Sequence, residues 1–198
     1  LIPAFQRQYP NVEIMLRECS NDTIQKALLS GGIDLAIAAY PKAPPSIELA
    51  DYYTEHTVLC LVDSLLVQCQ IDLDVRRNEI AAGDLHSLRD CPFVLGSAAD
   101  IGGRIGRELL RASGISPISK ATSENVETLL ALCVQGVGAC FCPENLLQTA
   151  LSPEQLAHLH ILPLCPEASY PICFGYLSRS YPWSVLSEFI RIAREQTA

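Results

Sequence analysis

The chemically versatile side chains of this sequence are its nine cysteines and four histidines. Cys-x-x-Cys and His-Glu-x-x-His do not occur, so the spacings typical of redox centres and zinc sites are missing. Two closely spaced pairs remain, Cys140 with Cys142 and His158 with His160. In a strand each pair would point to one side, which leaves a metal or redox role open as an alternative. Most cysteines stand in apolar stretches, which favours reduced thiols in the core of a cytoplasmic protein, so we predict no metal and no cofactor.

Motifs for nucleophilic or phosphate chemistry are also missing. The sequence has no Gly-x-Ser-x-Gly elbow and no P-loop, and the glycines at 102–106 lack the spacing of a dinucleotide fingerprint. No histidine is placed by the sequence beside a serine or cysteine nucleophile. The sequence therefore predicts no catalytic residue and a protein that is not an enzyme.

Polar and glycine residues that follow strands are the more informative feature. Three predicted helices begin directly after strands, at 20–22, 100–103 and 123–125. Helix N-termini carry free N–H groups and partial positive charge, which suits a small anion such as a carboxylate. Ordinary capping is the alternative, because an acidic side chain stands at each of these helix starts.

Hydrophobic periodicity supplies the elements that must position these residues. It predicts helices over 1–8, 20–30, 101–113, 123–134 and 183–194. It predicts strands over 12–17, 33–38, 56–62, 91–95, 139–142 and 171–177. We expect 72–84 to be a polar, irregular connection. The alternation indicates two α/β units, one before about residue 65 and one after about residue 85.

Composition limits the class of protein. The 198 residues are 49% hydrophobic and 18% charged, which is typical of a globular core. No apolar run reaches the roughly 20 residues of a membrane span. The net charge of −8, with few scattered basic residues, argues against direct binding of a nucleic-acid backbone.

Three segments resemble the effector-binding domain of LysR-type transcriptional regulators. The opening at 1–12 reads Leu-Ile-Pro-x-Phe-x-x-x-Tyr-Pro-x-Val, and 31–37 reads Gly-Gly-Ile-Asp-Leu-Ala-Ile. The third segment, 124–143, runs from a glutamate and an apolar helix through Gly136-x-Gly138 to a strand that ends at Pro143. The three occur in the family's order and spacing, so the resemblance spans essentially the whole chain.

The resemblance implies a type 2 periplasmic-binding-protein-like α/β fold, in which two α/β lobes are joined by a two-segment hinge. We expect lobe one at 1–65 plus 168–198 and lobe two at 66–167. The effector is then expected in the cleft between the lobes. The ligand-binding residues that the resemblance implies are Ser20, Asn21, Tyr40, Ser97, Ala98, Gly102, Gly103, Glu124, Asn125, Phe141 and Cys142.

The implied function is effector sensing in a bacterial regulator. A small-molecule effector, with a carboxylate as one candidate, would modulate DNA binding and transcription through an N-terminal winged helix-turn-helix domain. That domain and the family's first effector-domain strand are absent from this sequence, so DNA contact is expected only through the missing domain. The resemblance also implies a homodimer, or a tetramer at full length, that is cytoplasmic and has no membrane partner.

Two alternative functions are a transport protein and an enzyme. A solute-binding protein of a transporter has the same fold, but the nine cysteines and the lack of a visible signal peptide argue against it. An enzyme on this scaffold would need a titratable pair in the cleft, for which Glu124 with Cys142 is the candidate.

Overall fold

The computed structural model of the protein describes residues 1–40, 45–98, 100–178 and 184–196, with the side chains of all of these except Asn21 and Asp22. In this part of the chain helices and strands are interspersed. The helices are α1 (Ile2–Gln8), α2 (Asn21–Leu29), α3 (Asp63–Cys69), α4 (Leu73–Ala81), α5 (Ile101–Ala112), α6 (Val126–Val134), α7 (Glu144–Ala150), α8 (Pro153–Ala157) and α9 (Ser184–Glu195). The strands are β1 (Ala36–Ala39), β2 (Ile47–Val62), β3 (Pro92–Gly96), β4 (Ile118–Ser123), β5 (Cys140–Pro143), β6 (Leu159–Pro163) and β7 (Ser169–Leu177).

The chain forms two compact units, each with its own helices and strands. Unit 1 comprises 1–54 and 171–198, and unit 2 comprises 55–170. The chain passes from one unit to the other twice, first within β2 and then within β7. The α/β class predicted from the alternating pattern is therefore confirmed.

Unit 2 contains both antiparallel and parallel pairs of strands. The second half of β2 pairs antiparallel with β5 on one side and with β6 on the other. β3 pairs with β4 in parallel. The two ladders are joined where Phe93 forms a parallel bridge with Ala139, just before β5. All residues from Thr57 to Val62 are buried, as expected for a central strand covered on both faces.

Helices of unit 2 pack on this sheet. α5 and α6 both contact β3 and β5, and apolar side chains from these elements form one continuous core. The prediction of an irregular connection at 72–84 was wrong, because this stretch contains α4. The Asp72 side chain caps α4 by accepting a hydrogen bond of 3.0 Å from the backbone N–H of Asp74. Leu73 and Ile80, two turns apart, anchor one face of this otherwise polar helix.

Unit 1 is built around β7. β1 pairs antiparallel with β7, so that Ala36 lies opposite Gly175. The other neighbour of β7 in the sheet is β2. α2 packs on β1 through the fully buried Leu28. α1 contacts α9, where the rings of Phe5 and Phe189 meet edge to face with centroids 5.0 Å apart.

The predicted strand at 12–17 does not form. Residues 12–20 have no regular secondary structure, and the side chains of Met15 and Leu16 are 74% and 73% exposed. Alternating apolar residues are not sufficient for a strand, because the backbone also needs a partner for its hydrogen bonds. The segment instead lines a groove of about 570 Å³ in unit 1, opposite residues of β1 and α9. None of the eleven residues predicted to bind ligand lines this groove.

The other predicted elements are present with shifted ends. The predicted strand at 56–62 is the end of β2, which is 16 residues long. The predicted helix at 183–194 corresponds to α9, and its first predicted residue, Trp183, lies outside the described residues. None of the described helices combines the length and apolar character needed to cross a membrane.

We expect Gly138→Ala to destabilise the protein. A Cβ atom at Gly138 would lie 2.8 Å from the carbonyl carbon of Phe93, so β3 and the chain before β5 would have to separate. We expect a loss of about 1–3 kcal/mol in the free energy of unfolding, measured by urea denaturation. Gly32→Ala is the control, since its Cβ would meet nothing closer than 3.5 Å. Equal stability of the two variants would contradict the close approach.

Candidate functional site

The carboxyl ends of β3 and β4 lie side by side in unit 2. Their last residues, Gly96 and Ser123, are register partners in the parallel ladder. α5 begins five residues after the end of β3, and α6 begins three residues after the end of β4. Both helices therefore start at this edge. Ligands of open α/β sheets bind at the carboxyl ends of strands. Six predicted ligand-binding residues lie between each strand end and the first turn of the helix that follows: Ser97, Ala98, Gly102, Gly103, Glu124 and Asn125.

Glycines allow α5 to begin directly against β3. A Cβ atom on Gly103 would overlap the carbonyl oxygen of Ser97, and one on Gly96 would lie 3.2 Å from the Cα of Gly103. Gly103 is itself buried, whereas Ser97 is half-buried and Ala98 is exposed. The glycines thus let α5 begin directly against the segment that carries Ser97 and Ala98.

Side chains of the protein cap both helices. Asp100 accepts a hydrogen bond of 3.1 Å from the backbone N–H of Gly103, at the start of α5. Asn125 accepts one of 2.8 Å from the backbone N–H of Thr128, at the start of α6. The capping alternative is therefore realised for one donor at each helix start. An anion here would use other N–H groups of the first turns or displace these side chains.

Arg107 brings positive charge to the same turn, and sequence reasoning missed it. Its guanidinium donates a hydrogen bond of 2.8 Å to the backbone carbonyl of Gly96. Its Nε atom is buried and has no hydrogen-bond partner among the described residues. Arg107 follows Gly103 by four residues and so lies on the same face of α5. That spacing is the signal from which its position could have been inferred.

Phe141 and Cys142 lie in β5 beneath α5. The ring of Phe141 stacks parallel to that of Phe93, with centroids 5.9 Å apart. Gly106 of α5 leaves room for this ring, since a Cβ atom there would overlap it. Both side chains are buried, with Phe141 5% and Cys142 0% exposed. Because side chains alternate along a strand, Phe141 faces α5 and Cys142 points to the other face of β5.

Glu124 and Cys142, the pair considered for catalysis, have different surroundings. The side chain of Glu124 is exposed. The thiol of Cys142 is fully buried, and its Sγ atom lies 3.6 Å from the Sγ atom of Cys60. Within the described residues no hydrogen bond joins Glu124 to Cys142.

Ser20, Asn21 and Tyr40 are the predicted residues of unit 1. Ser20 is exposed at the start of α2, and its hydroxyl lies 3.0 Å from that of Thr23. Asn21 is the first residue of α2, and its side chain lies outside the described part of the structure. The three residues are thus placed at the start of α2 and directly after β1.

Tyr40 has an unusual hydroxyl. The residue is only 8% exposed, and its ring lies across Gly175, where a Cβ atom would overlap the hydroxyl. This hydroxyl has no hydrogen-bond partner within the described residues. Burial raises the pKa of Tyr40 to about 12, and the nearby thiol of Cys173 makes a smaller contribution in the same direction. A buried donor without a partner is costly unless a ligand or water satisfies it.

Comparisons with known proteins agree on the family and fold. The family described as the LysR substrate binding domain matches residues 1–198. None of the curated proteins matches the chain in sequence.

Several solved structures are similar to the chain. The regulatory domain of CcmR from Synechocystis PCC6803, in complex with 2-PG, has a TM-score of 0.76 and 14% identity over 99% of this chain and 88% of that one. The reduced regulatory domain of OxyR2 from Vibrio vulnificus has a TM-score of 0.74 and 15% identity over 98% and 86%. The BenM effector-binding domain with benzoate has a TM-score of 0.73 and 18% identity over 99% and 83%.

The likeness to these structures confirms the predicted type 2 periplasmic-binding-protein-like fold. The chain also matches full-length BenM, of which it covers 61%. Because the family match extends over all 198 residues, the chain belongs to the LysR substrate-binding domain family, the effector-binding domains of LysR-type transcriptional regulators.

Proposed function

We propose that this protein senses a small organic carboxylate and thereby controls transcription. The observation that carries the proposal is the edge of unit 2 where β3 and β4 end together. At that edge two helices begin, glycines let α5 start directly against β3, and the guanidinium of Arg107 supplies positive charge. Helix starts and a guanidinium both favour a carboxylate over a neutral or cationic group.

The ligand contacts in this proposal are those the family resemblance implied, with Arg107 added. The contacts from unit 2 are Ser97, Ala98, Gly102, Gly103, Glu124 and Asn125 at the two helix starts, and Phe141 and Cys142 of β5. From unit 1, Tyr40 offers a hydroxyl whose hydrogen bond a ligand would complete. As expected from the sequence, we propose that lobe one comprises 1–65 plus 168–198 and that lobe two comprises 66–167.

Related domains bind ligands of the proposed class. The BenM domain is described with its effector benzoate, and that of QuiR with shikimate. Both molecules carry a carboxylate on a six-membered ring. These neighbours support the view that the fold can hold such a ligand.

The mechanism in this proposal is a shift of population. An effector favours the conformation that it binds more tightly, and only in proportion to that difference in affinity. The conformation is transmitted to an N-terminal winged helix-turn-helix domain, through which alone DNA is contacted. The protein acts as a cytoplasmic homodimer, or a tetramer at full length, without catalysing a reaction. A monomeric mass at micromolar concentration would contradict the dimer.

A thermal-shift screen of small carboxylates tests the proposal. A carboxylate at about 100-fold its Kd should add about 2.7 kcal/mol to the free energy of unfolding. The corresponding amides are the matched neutral controls and should add much less. Arg107→Gln should weaken binding of the carboxylate more than binding of the corresponding amide. If amides and carboxylates stabilise the protein equally, the ligand class is wrong.

Tyr40→Phe tests the contribution of unit 1. The substitution removes a buried hydroxyl without a partner, so the free energy of unfolding should stay the same or rise by up to about 1 kcal/mol. Affinity for the effector found in the screen should nevertheless fall. Tyr52→Phe, also in unit 1 but outside the predicted site, should leave affinity unchanged. A stable Tyr40→Phe variant with normal affinity would remove Tyr40 from the site.

Alkaline pH should destabilise the protein partly through Tyr40. An unfolded tyrosine loses its proton near pH 10, whereas folded Tyr40 keeps its proton until about pH 12. The free energy of unfolding should therefore fall as the pH rises between these values. In urea denaturation across this range, Tyr40→Phe should show a shallower decline than the wild type. An identical decline would show that Tyr40 ionises like an unfolded tyrosine.

A further inference from the structure

Three cysteine thiols converge in the core of unit 2. The Sγ atoms of Cys60, Cys140 and Cys142 all lie within 4.8 Å of one another. Cys60 lies directly opposite Cys140 in the antiparallel pairing of β2 with β5. Cys142 is two residues further along β5, so the three side chains share one face of the sheet. All three residues are 0% exposed.

A fourth cysteine lies at the same place. The thiol of Cys133, on α6, donates a hydrogen bond of 3.2 Å to the backbone carbonyl of Cys60. Cys133 is also 0% exposed and close enough to hydrogen-bond with Cys140. The cluster therefore has three converging sulfur atoms and a fourth thiol beside them.

The thiols are not equivalent. Hydrogen bonds from Cys140 and Cys60 lower the pKa of Cys142. Hydrogen bonds with its three cysteine neighbours and burial raise the pKa of Cys140. The thiolate is the form of cysteine that binds metals.

The surroundings restrict the charge of anything bound there. The groups that act electrostatically on the three thiols are other cysteines and the carboxylate of Glu144. The rest of the neighbourhood is the apolar core of unit 2. Three thiolates around a divalent ion would leave a net negative charge, which is costly in such a core. Three thiolates around a trivalent ion leave no net charge.

We propose that Cys60, Cys140 and Cys142 form a binding site for one trivalent thiophilic ion, of the arsenic(III) and antimony(III) class. Sulfur ligands select soft ions of this kind. With arsenous acid, three As–O bonds break and three As–S bonds form. The three thiol protons leave with the three hydroxides as water, so no oxidant, reductant or external base is needed. The bound ion would tie β2 to β5.

Arsenite binding to the purified protein is the direct test. The protein is kept reduced with a phosphine, because dithiol reductants would compete for the ion. Arsenite is added both to the folded protein and during refolding from urea, since the buried thiols become reachable only when the structure opens. We expect one arsenic atom per chain by mass spectrometry of the dialysed protein, with a rise in the urea midpoint.

Serine variants separate the cluster from other thiols. Cys60→Ser and Cys142→Ser should each weaken arsenite binding at least about 10-fold, and alanine replaces serine where a serine variant fails to fold. Cys91→Ser is the matched control. Cys91 is also 0% exposed in unit 2, and its hydrogen-bonded neighbour Cys69 makes it the competing dithiol. Cys91→Ser should keep one arsenic per chain.

Three results would overturn the proposal. They are no arsenite binding by either route, equal binding by the Cys142 variant and the wild type, and loss of binding in Cys91→Ser. Tight binding of zinc or copper(I) without arsenite would also contradict the trivalent assignment. Effector binding is measured separately, so none of these results depends on the proposed sensing function.

Discussion

Two backbone hydrogen bonds join the two sets of paired strands in unit 2. The N–H of Val94 donates to the carbonyl of Ala139 at 2.9 Å, and the N–H of Ala139 donates to that of Pro92 at 2.8 Å. They join an antiparallel ladder around β2 to the parallel pair β3 and β4. Gly138 permits this join because its lack of a side chain lets the two backbones approach. Parallel pairing beyond the join then places two helix starts at one edge, and the proposed carboxylate site depends on that placement.

Hydrophobic patterns predicted burial better than they predicted pairing. The run at 56–62 was correctly identified as a strand because a central strand is apolar on both faces. The run at 12–17 has a similar apolar content, yet a strand also needs a backbone partner, which periodicity does not report. The opposite error occurred at 72–84. There a helix buries only Leu73 and Ile80, so its apolar signal is weak and its cap at Asp72 was the better indication.

Local sequence also limited what could be inferred about the site. That polar and glycine residues follow strands was visible in the sequence, and six predicted residues do stand after β3 and β4. Which donors remain available depends on tertiary detail, because Asp100 and Asn125 each occupy one N–H of their own helix. The position of Arg107 depends on the contact of α5 with Gly96, and the unpaired hydroxyl of Tyr40 depends on the packing across Gly175.

Burial of the cysteines is compatible both with inert core thiols and with a site for a bound ion. Burial of most thiols was expected from their apolar neighbours, and Cys140 and Cys142 were expected on one side of a strand. Cys60 could not be added from the sequence, because only the register of β2 against β5 brings it opposite Cys140. A core thiol is inert when it is alone, since solvent and oxidants do not reach it. Three thiols in contact are different, because the same apolar surroundings that exclude water also exclude any bound ion whose charge the sulfur atoms do not neutralise.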